Sequence, residues 1–447
     1  MGGGGNNSGM HQKGNVGGWI ASVALGLALT GFSVRAASTF LAGADFSDLS
    51  FFELNGVSYK DAGQVADGLA ILKNHGINCV RLRLFTSSAS QAVANPYNYG
   101  NDLAYTLNLA ARVKAAGLLL SLDFHYSDTW ADPGHQATPS AWTSLSFSAL
   151  VQQMRSYNSN TIAAFIARGA APDYVQVGNE ITGGMLWPLG KVPGTNATVQ
   201  WFQFGQLIKA AEQGIADAAG TAMPKIIVHI DRGGDWATTE WFFDNLNAQN
   251  VPYDIIGESY YPFYHGPLTN ASVCLTNAAQ HYGKPVVIAE TGFPWTNTYW
   301  KTNIQGFTPS VTGQVAFMAA LAKVVKSAPN QLGAGVFYWG AEYQAVNGVN
   351  ESGYNTASFF DKGGNALPVL DAVAGLGAPL VLTASVSGGS LQLKWPFSGA
   401  AAQLMGATGL GAAATWLAVT NAVAVTNTLF GVTLPVDSSR FYRLRAN

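Results

Sequence analysis

Charge is scarce in this chain. Asp, Glu, Lys and Arg make up 11% of its 447 residues, against about a quarter in an ordinary soluble protein. The 23 Lys and Arg nearly balance the 25 Asp and Glu, leaving a net charge of -2. With no basic stripe and no excess of one sign, nucleic acid and anionic membrane surfaces are poor partners. Cysteine is scarcer still, with only 2 residues. Cys79 lies in a strand-like run and Cys274 in a helix-like segment, so both are expected as separate buried thiols. No CxxC or HExxH spacing is present to hold a metal. Past the N-terminus no apolar run is long enough to cross a bilayer.

What the chain has instead is ring surface: 12 Trp, 17 Tyr and 23 Phe. Part of this must be core. Few charges together with many Trp and Tyr also suit a neutral ligand with flat apolar faces, and sugars have such faces. Met1 to Val16 is Gly- and Asn-rich, an apolar stretch runs from Gly17 to Phe32, and Val34-Arg35-Ala36 follows with small residues where signal peptidase wants them. Residues 1–36 therefore read as a signal peptide. They predict a mature start near Ala37 and a secreted protein, extracellular or periplasmic, with no integral membrane association.

From Thr39 to about Val373, short apolar runs alternate with longer helical patterns. Eight strands are expected: Phe40–Ala44, Asn78–Leu84, Leu118–Phe124, Tyr174–Val177, Ile226–Ile230, Asp254–Ser259, Pro285–Ala289 and Ala334–Trp339. Helical patterns between them include Asp61–His75, Asp102–Ala116, Phe147–Arg168, Val199–Ala219 and Gly313–Ser327. Several stop at a glycine (Gly76, Gly117, Gly169). Eight such units predict an α/β fold, a (β/α)8 TIM barrel over residues 37–373. A doubly wound sheet would carry a Gly-rich phosphate loop after its first strand, and none is there. Beyond Ala374-Gly375-Leu376-Gly377-Ala378-Pro379 the runs become short and alternating, which predicts a small all-β appendage over residues 379–447. It holds few acids or bases, so no chemistry is expected of it.

A barrel enzyme works at the C-terminal ends of its strands. Two carboxylates stand at such ends: Glu180, in Val177-Gly178-Asn179-Glu180, and Glu290, in Val287-Ile288-Ala289-Glu290. Either alone is equally compatible with a carboxylate that caps a strand and pairs with an Arg or Lys. Two on different strands are what glycosidic cleavage requires: one protonates the leaving oxygen and one attacks or stabilises the sugar carbon. Other strand ends add Asp45, Arg81 and Arg83, Asp123 and His125, Asn179, His229 and Asp231, Tyr260 and Tyr261, and Trp339. A rim of this kind offers hydrogen bonds to hydroxyls and a ring to the C–H face of a sugar. Arg81 would keep a nucleophilic Glu290 ionised, and Tyr260 or Tyr261 would hydrogen-bond it. Asn179 would bind a sugar hydroxyl, and Trp339 would floor the site. For each helper alone, core packing is an equal alternative.

The chain resembles the arabinogalactan endo-β-1,4-galactanases, glycoside hydrolase family 53. The stretches that carry the likeness are Gly43-Ala44-Asp45-Phe46-Ser47, Val80-Arg81-Leu82-Arg83-Leu84-Phe85, Asp123-Phe124-His125-Tyr126-Ser127-Asp128-Thr129-Trp130-Ala131-Asp132-Pro133-Gly134, Gln176-Val177-Gly178-Asn179-Glu180-Ile181, Gly184-Met185-Leu186-Trp187-Pro188, Ser259-Tyr260-Tyr261-Pro262 and Ala289-Glu290-Thr291-Gly292. The stretch around His125 is the specific one; an Asn-Glu pair marks only the wider clan. The resemblance implies a retaining hydrolase of β-1,4-galactan in pectin side chains, with Glu180 as acid/base and Glu290 as nucleophile. Asp45, Arg81, His125, Asn179, Trp187, Tyr260 and Trp339 are then expected to bind substrate. Two rivals stay open: another retaining barrel glycanase, such as a mannanase or glucanase, and a non-catalytic sugar-binding barrel. Some bacterial members carry a calcium loop rich in Asp, His and Asn after the nucleophile strand. Here Trp295-Thr296-Asn297-Thr298-Tyr299-Trp300-Lys301-Thr302-Asn303 has no carboxylate, which argues against calcium at that position. Trp295, Tyr299 and Trp300 would extend the cleft instead. No cofactor or metal, a polysaccharide partner and a monomer are expected.

Overall fold

The computed structural model describes residues 40–193, 197–297, 304–349, 352–400, 402–410, 414–426, 429–436 and 440–445. The expected signal peptide, residues 1–36, lies outside the described residues. Eight parallel strands close into a barrel: β1 (Leu41–Asp45), β2 (Cys79–Leu84), β3 (Leu119–Phe124), β4 (Tyr174–Val177), β5 (Lys225–Ile230), β6 (Ile255–Ser259), β7 (Val286–Thr291) and β8 (Gly333–Tyr338). β1 closes the ring by pairing with both β2 and β8. Strands so placed are buried on both faces, which is why they read as near-continuous apolar runs.

Around the barrel lie α1 (Gly68–His75), α2 (Leu103–Ala115), α3 (Phe147–Ala167), α4 (Thr198–Ala219), α5 (Trp236–Ala248), α6 (Leu268–Tyr282), α7 (Val311–Lys326) and α8 (Pro368–Ala374). Side chains that bond backbone N–H groups start several of them: Asp67 for α1, Asp102 for α2, Ser146 for α3, Asp235 for α5 and Ser310 for α7. Gly76, Gly117 and Gly169 all have positive φ just past α1, α2 and α3, as their positions predicted. Strand ends differ from the sequence reading by one or two residues. α1 differs more, starting at Gly68 rather than Asp61. Residues Lys60–Asp61 pair instead with Gln64–Val65 in a small hairpin, and Asp67 then caps the helix.

One apolar layer fills the barrel: Leu41, Cys79, Ile227, Ile255, Val287, Ala289 and Phe337. Gly43 makes room for it, since a Cβ there would lie 2.3 Å from the Phe337 ring. A second, larger cluster packs the helices onto the strands. Cys79 and Cys274 are both free and buried.

The C-terminal segment forms two antiparallel sheets. β9 (Thr383–Ser387), β10 (Ser390–Pro396), β13 (Ala424–Thr426) and β14 (Leu429–Pro435) make one, in the order β9-β10-β14-β13. β11 (Gln403–Ala407), β12 (Leu417–Ala418) and β15 (Phe441–Arg445) make the other, with β11 in the middle. β11 and β13 carried no sequence signal, being short and built from Gln, Gly, Ala and Thr beside a few apolar residues. Trp395, Phe397 and Phe430 belong to the same buried cluster as the barrel helices. Lys323 of α7 lies over the Phe430 ring, and Ser398 N–H donates to the Gly375 carbonyl at 2.8 Å. Trp395 is 3% exposed and spends its indole N–H on the Gly399 carbonyl. Trp416 is half-buried under the Arg443 guanidinium.

Candidate active site

Side chains alternate along a strand, so every second residue of a barrel strand points inward. Above the apolar layer those inward positions turn polar: Asp45 on β1, Arg81 and Arg83 on β2, Asp123 on β3, Gln176 on β4, His229 on β5 and Ser259 on β6, each no more than 1% exposed. Register sets them side by side. Asp45 pairs with Arg81, Arg83 with Asp123, and Asp123 with Gln176.

Glu290 breaks the alternation. Val287 and Ala289 occupy the inner layer, so residue 290 of a regular strand would point toward the helices. Between Ile288 and Glu290, β7 carries one residue more than β6, where Glu258 and Ser259 are the partners. It also carries one more than β8, between the pairs Ile288–Val336 and Thr291–Tyr338. This bulge turns Glu290 back into the mouth of the barrel. There its Oε1 is 3.0 Å from Arg81 Nη2, and Tyr261 Oη donates to its Oε2 at 3.4 Å. Arg81 is the hub beneath. Its guanidinium also reaches Asp45 at 2.8 Å, Asp123 at 2.8 Å, Asn179 Oδ1 at 2.8 Å and Gln176 Oε1 at 3.2 Å.

Glu180 comes from a tight turn after β4. Gly178 has φ +87°, and a Cβ there would lie 2.6 Å from Ile181 Cγ2. Glu180 itself has φ 50° and ψ 49°. That left-handed conformation is strained for a side-chain-bearing residue, and strain of this kind gathers at functional sites. The turn leaves Glu180 half-buried in the cleft wall, with Oε1 accepting from Ser259 Oγ at 2.6 Å. Burial pushes its carboxyl well above the usual range, and the charge of Glu290 pushes it further. Burial also raises Glu290, but the Arg81 guanidinium offsets part of that. Of two carboxyl groups in one cleft, Glu290 therefore has a cation at contact distance, and among the described residues Glu180 has none. The proton belongs on Glu180 and the negative charge on Glu290.

The cleft, about 530 Å³, is walled by Tyr97, Trp130, Tyr261, Tyr264, Trp339 and Tyr354, and both glutamates open into it. Trp130 and Trp339 meet at 6.2 Å between ring centroids, and the Arg83 guanidinium lies 4.2 Å from the Trp130 ring. Asp45 and Asp48 hold Arg83 in place. Asn179 and His125 line the cleft as expected. His125 Nδ1 accepts from Ala131 N–H at 2.9 Å and its Nε2 faces Asp123 at 3.0 Å, and burial keeps the imidazole below its ordinary pKa.

Four expected sugar ligands are placed elsewhere: Arg81, 1% exposed, is the hub beneath Glu290, and Asp45, Tyr260 and Trp187 join it outside the cleft lining. Asp45 is 0% exposed and serves Arg81, Arg83 and Ser47. Tyr260 is fully buried and donates its hydroxyl to the Gly266 carbonyl, so Tyr261 is the phenol that faces Glu290. Trp187 stays outside the cleft lining; its N–H donates to the Gly183 carbonyl, and Lys191 covers its ring at 4.1 Å. Of the aromatic loop after β7, Trp295 bonds the Thr356 carbonyl through its backbone N–H, while Tyr299 and Trp300 lie outside the described residues. Sequence reasoning passed over Gln176, Ser259, Tyr97 and Tyr354. The first two had a signal, a polar residue at an inward position of an otherwise apolar strand. The last two come from a short helix (Pro96–Tyr99) and a single 3-10 turn (Tyr354–Thr356) outside the eight βα units, and had none. Among the described residues no group of three or more His, Cys, Asp or Glu is placed to hold a metal ion.

Comparisons with known proteins agree with this geometry. Residues 41–373 match the profile of Glycosyl hydrolase family 53. A Niallia circulans protein of uncharacterised activity is 40% identical over 314 residues, 67% of this chain and 83% of that one. The arabinogalactan endo-β-1,4-galactanase of Humicola insolens is 36% identical over 308 residues, 66% of this chain and 88% of the enzyme. Among solved structures, the Ignisphaera aggregans GH53 catalytic domain superposes with a TM-score of 0.67 at 32% identity, covering 75% of this chain and 95% of that domain. A fungal β-1,4-galactanase superposes with 0.65 at 32% identity, covering 74% and 98%.

Proposed function

The chain belongs to glycosyl hydrolase family 53, and from that membership we infer that it is an endo-acting hydrolase of β-1,4-galactosidic bonds in galactan, as in the type I arabinogalactan side chains of pectin. The observation that carries the reading is the contrast between the two cleft carboxyls, one beside Arg81 and one with no cation beside it among the described residues. Glu180 is the proton donor to the leaving oxygen and later the base toward water. Glu290 is the nucleophile, and the sugar is retained in configuration through a galactosyl-enzyme intermediate. Asn179 and His125 address hydroxyls, and Trp339 with Trp130 faces the sugar ring. Export of the chain is supported by its N-terminal sequence alone; among the described residues no helix is long and apolar enough to cross a membrane. The test is release of reducing ends from β-1,4-galactan beside arabinogalactan, mannan and cellulose. Galactan is expected to be cleaved fastest, and a preference for mannan or cellulose overturns the substrate.

Two further results are expected. A chain ending at Ala378 keeps its turnover on soluble galacto-oligosaccharides, because every proposed site residue precedes Val373. It melts several degrees lower, because Trp395, Phe397 and Phe430 share the barrel's buried cluster and each buried aromatic contributes roughly 1.5–3 kcal/mol. Loss of turnover in a folded truncated protein makes the tail part of the active unit. In EDTA, activity and melting temperature stay where they are. A fall of more than a few degrees reveals a structural ion.

A further inference from the structure

Behind Glu180 lies a line of polar side chains that the reaction as proposed does not use. His229 is 0% exposed. Its Nε2 is 2.9 Å from Ser259 Oγ, and Ser259 Oγ is 2.6 Å from Glu180 Oε1. Its Nδ1 is 3.0 Å from Gln176 Nε2 and 3.0 Å from Asn179 Oδ1.

We infer that Ser259 and His229 are positioning residues for Glu180: a one-way hydrogen-bond chain from Gln176 through His229 and Ser259 keeps Glu180 Oε1 an acceptor, so the acid proton sits on Oε2. The inference rests on Glu180 being the acid/base.

The direction follows from counting protons. Arg81 Nε donates to Gln176 Oε1 at 3.2 Å, which fixes the amide with its N–H groups toward His229 and Asp123. Asn179 Nδ2 donates to the Ala131 carbonyl and its Oδ1 accepts from Arg81 Nη2, while the two protons of Gln176 Nε2 go to Asp123 Oδ1 and to His229 Nδ1, so a proton on Nδ1 would meet the Gln176 N–H head on. His229 Nδ1 then receives an N–H from Gln176, and a neutral ring has its single proton on Nε2. That proton goes to Ser259 Oγ, and the one hydroxyl proton of Ser259 goes to Glu180. With the opposite direction, Ser259 gives its proton to His229 and Glu180 must donate to Ser259, parking the acid proton on Oε1. Burial and the Arg81 charge hold the imidazole well below its ordinary pKa, so it stays neutral while Glu180 titrates. The groups facing Glu180 are Glu290, Asp231, Asp132, Tyr261, Tyr354 and Ser259. Those facing His229 are Arg81, Asp123 and His125.

The test is kcat/KM on galactan against pH. Ser259 donates to the charged form of Glu180 and holds its pKa down. Ser259→Ala should therefore move the basic limb upward by about 0.5–1 pH unit, with little change in KM, because Ser259 is 0% exposed. His229→Ala should move it the same way by no more than that. His229→Gln, whose side-chain N–H can replace Nε2–H, should stay near the parent. The double variant Ser259→Ala/His229→Ala should match Ser259→Ala alone. An unmoved limb in Ser259→Ala, or additive shifts in the double variant, overturns the chain. If His229→Ala does not fold, Ser259→Ala and His229→Gln still decide. Glu180→Ala is run beside them on galactan and on a dinitrophenyl galactobioside, whose leaving group needs no acid. Loss of galactan cleavage with the activated glycoside still turned over upholds the acid/base reading, and a limb that fails to move then removes only the chain. Loss of both in equal measure removes the reading beneath it.

Discussion

Replacing Glu290 by glycine should lower turnover on galactan by roughly 10⁴-fold or more, the scale on which a nucleophile's loss is felt. Sodium azide should restore part of it, with an α-galactosyl azide as product, because azide enters from the face that the lost carboxylate occupied. Glu180→Gln should cost about 10²–10⁴-fold, the range general acid–base groups supply. A β-azide from the Glu290 variant would exchange the two roles. Folding controls distinguish lost chemistry from lost structure. The folded-state pKa of Glu180 lies well above its ordinary 4.5. Between those values the folded chain binds more protons than the unfolded one, so stability falls as pH rises through that window. Gln cannot ionise and still accepts the Ser259 hydroxyl. Glu180→Gln is thus expected to melt no lower than the parent at neutral pH, and higher as pH rises.

The second large effect belongs to Arg81→Met. It takes the shared cation from Asp45, Asp123 and Glu290, all within 3.0 Å of the guanidinium. Removing one side of a buried ion cluster costs about 3–5 kcal/mol, so the melting temperature should drop by several degrees. Activity should fall with it and change its pH dependence. Arg81 holds the Glu290 pKa down, and Glu290 must be ionised to attack. Without Arg81 the acidic limb of kcat/KM should move upward by about one unit or more. Arg81→Lys should recover little, since one ammonium cannot meet acceptors that a planar guanidinium reaches from three nitrogens. An acidic limb that stays in place in a folded Arg81→Met protein would mean that Arg81 supports the barrel and does not tune Glu290.

The barrel was legible because each buried strand is an apolar run and several helices end in a glycine. β4 was read to the residue, and the other strands to within two. The pair Glu180 and Glu290 was legible from strand ends. How Glu290 reaches the cleft was not, since it depends on a bulge defined by two neighbouring strands. Asp45 and Tyr260 were misplaced for a related reason: position at a strand end does not say whether a group faces solvent or the layer beneath. Tyr260 and Tyr261 are adjacent, and only tertiary packing decides which hydroxyl turns to Glu290. Gln176, His229 and Ser259 each stand out as a polar residue in an apolar strand, but their contacts with one another span three strands and leave no mark in the local sequence. In the tail, β11 and β13 were lost for want of apolar alternation.

One measurement tests the central claim most directly. A fluorosugar galactobioside with an activated leaving group forms the covalent intermediate quickly and hydrolyses it slowly, so the labelled residue can be read by peptide mass spectrometry. The expected label is one fluorinated galactobiosyl group on Glu290, with loss of activity in step with labelling and none in Glu290→Gly. A label on Glu180 or any other residue, or full inactivation with no covalent adduct, would contradict the account.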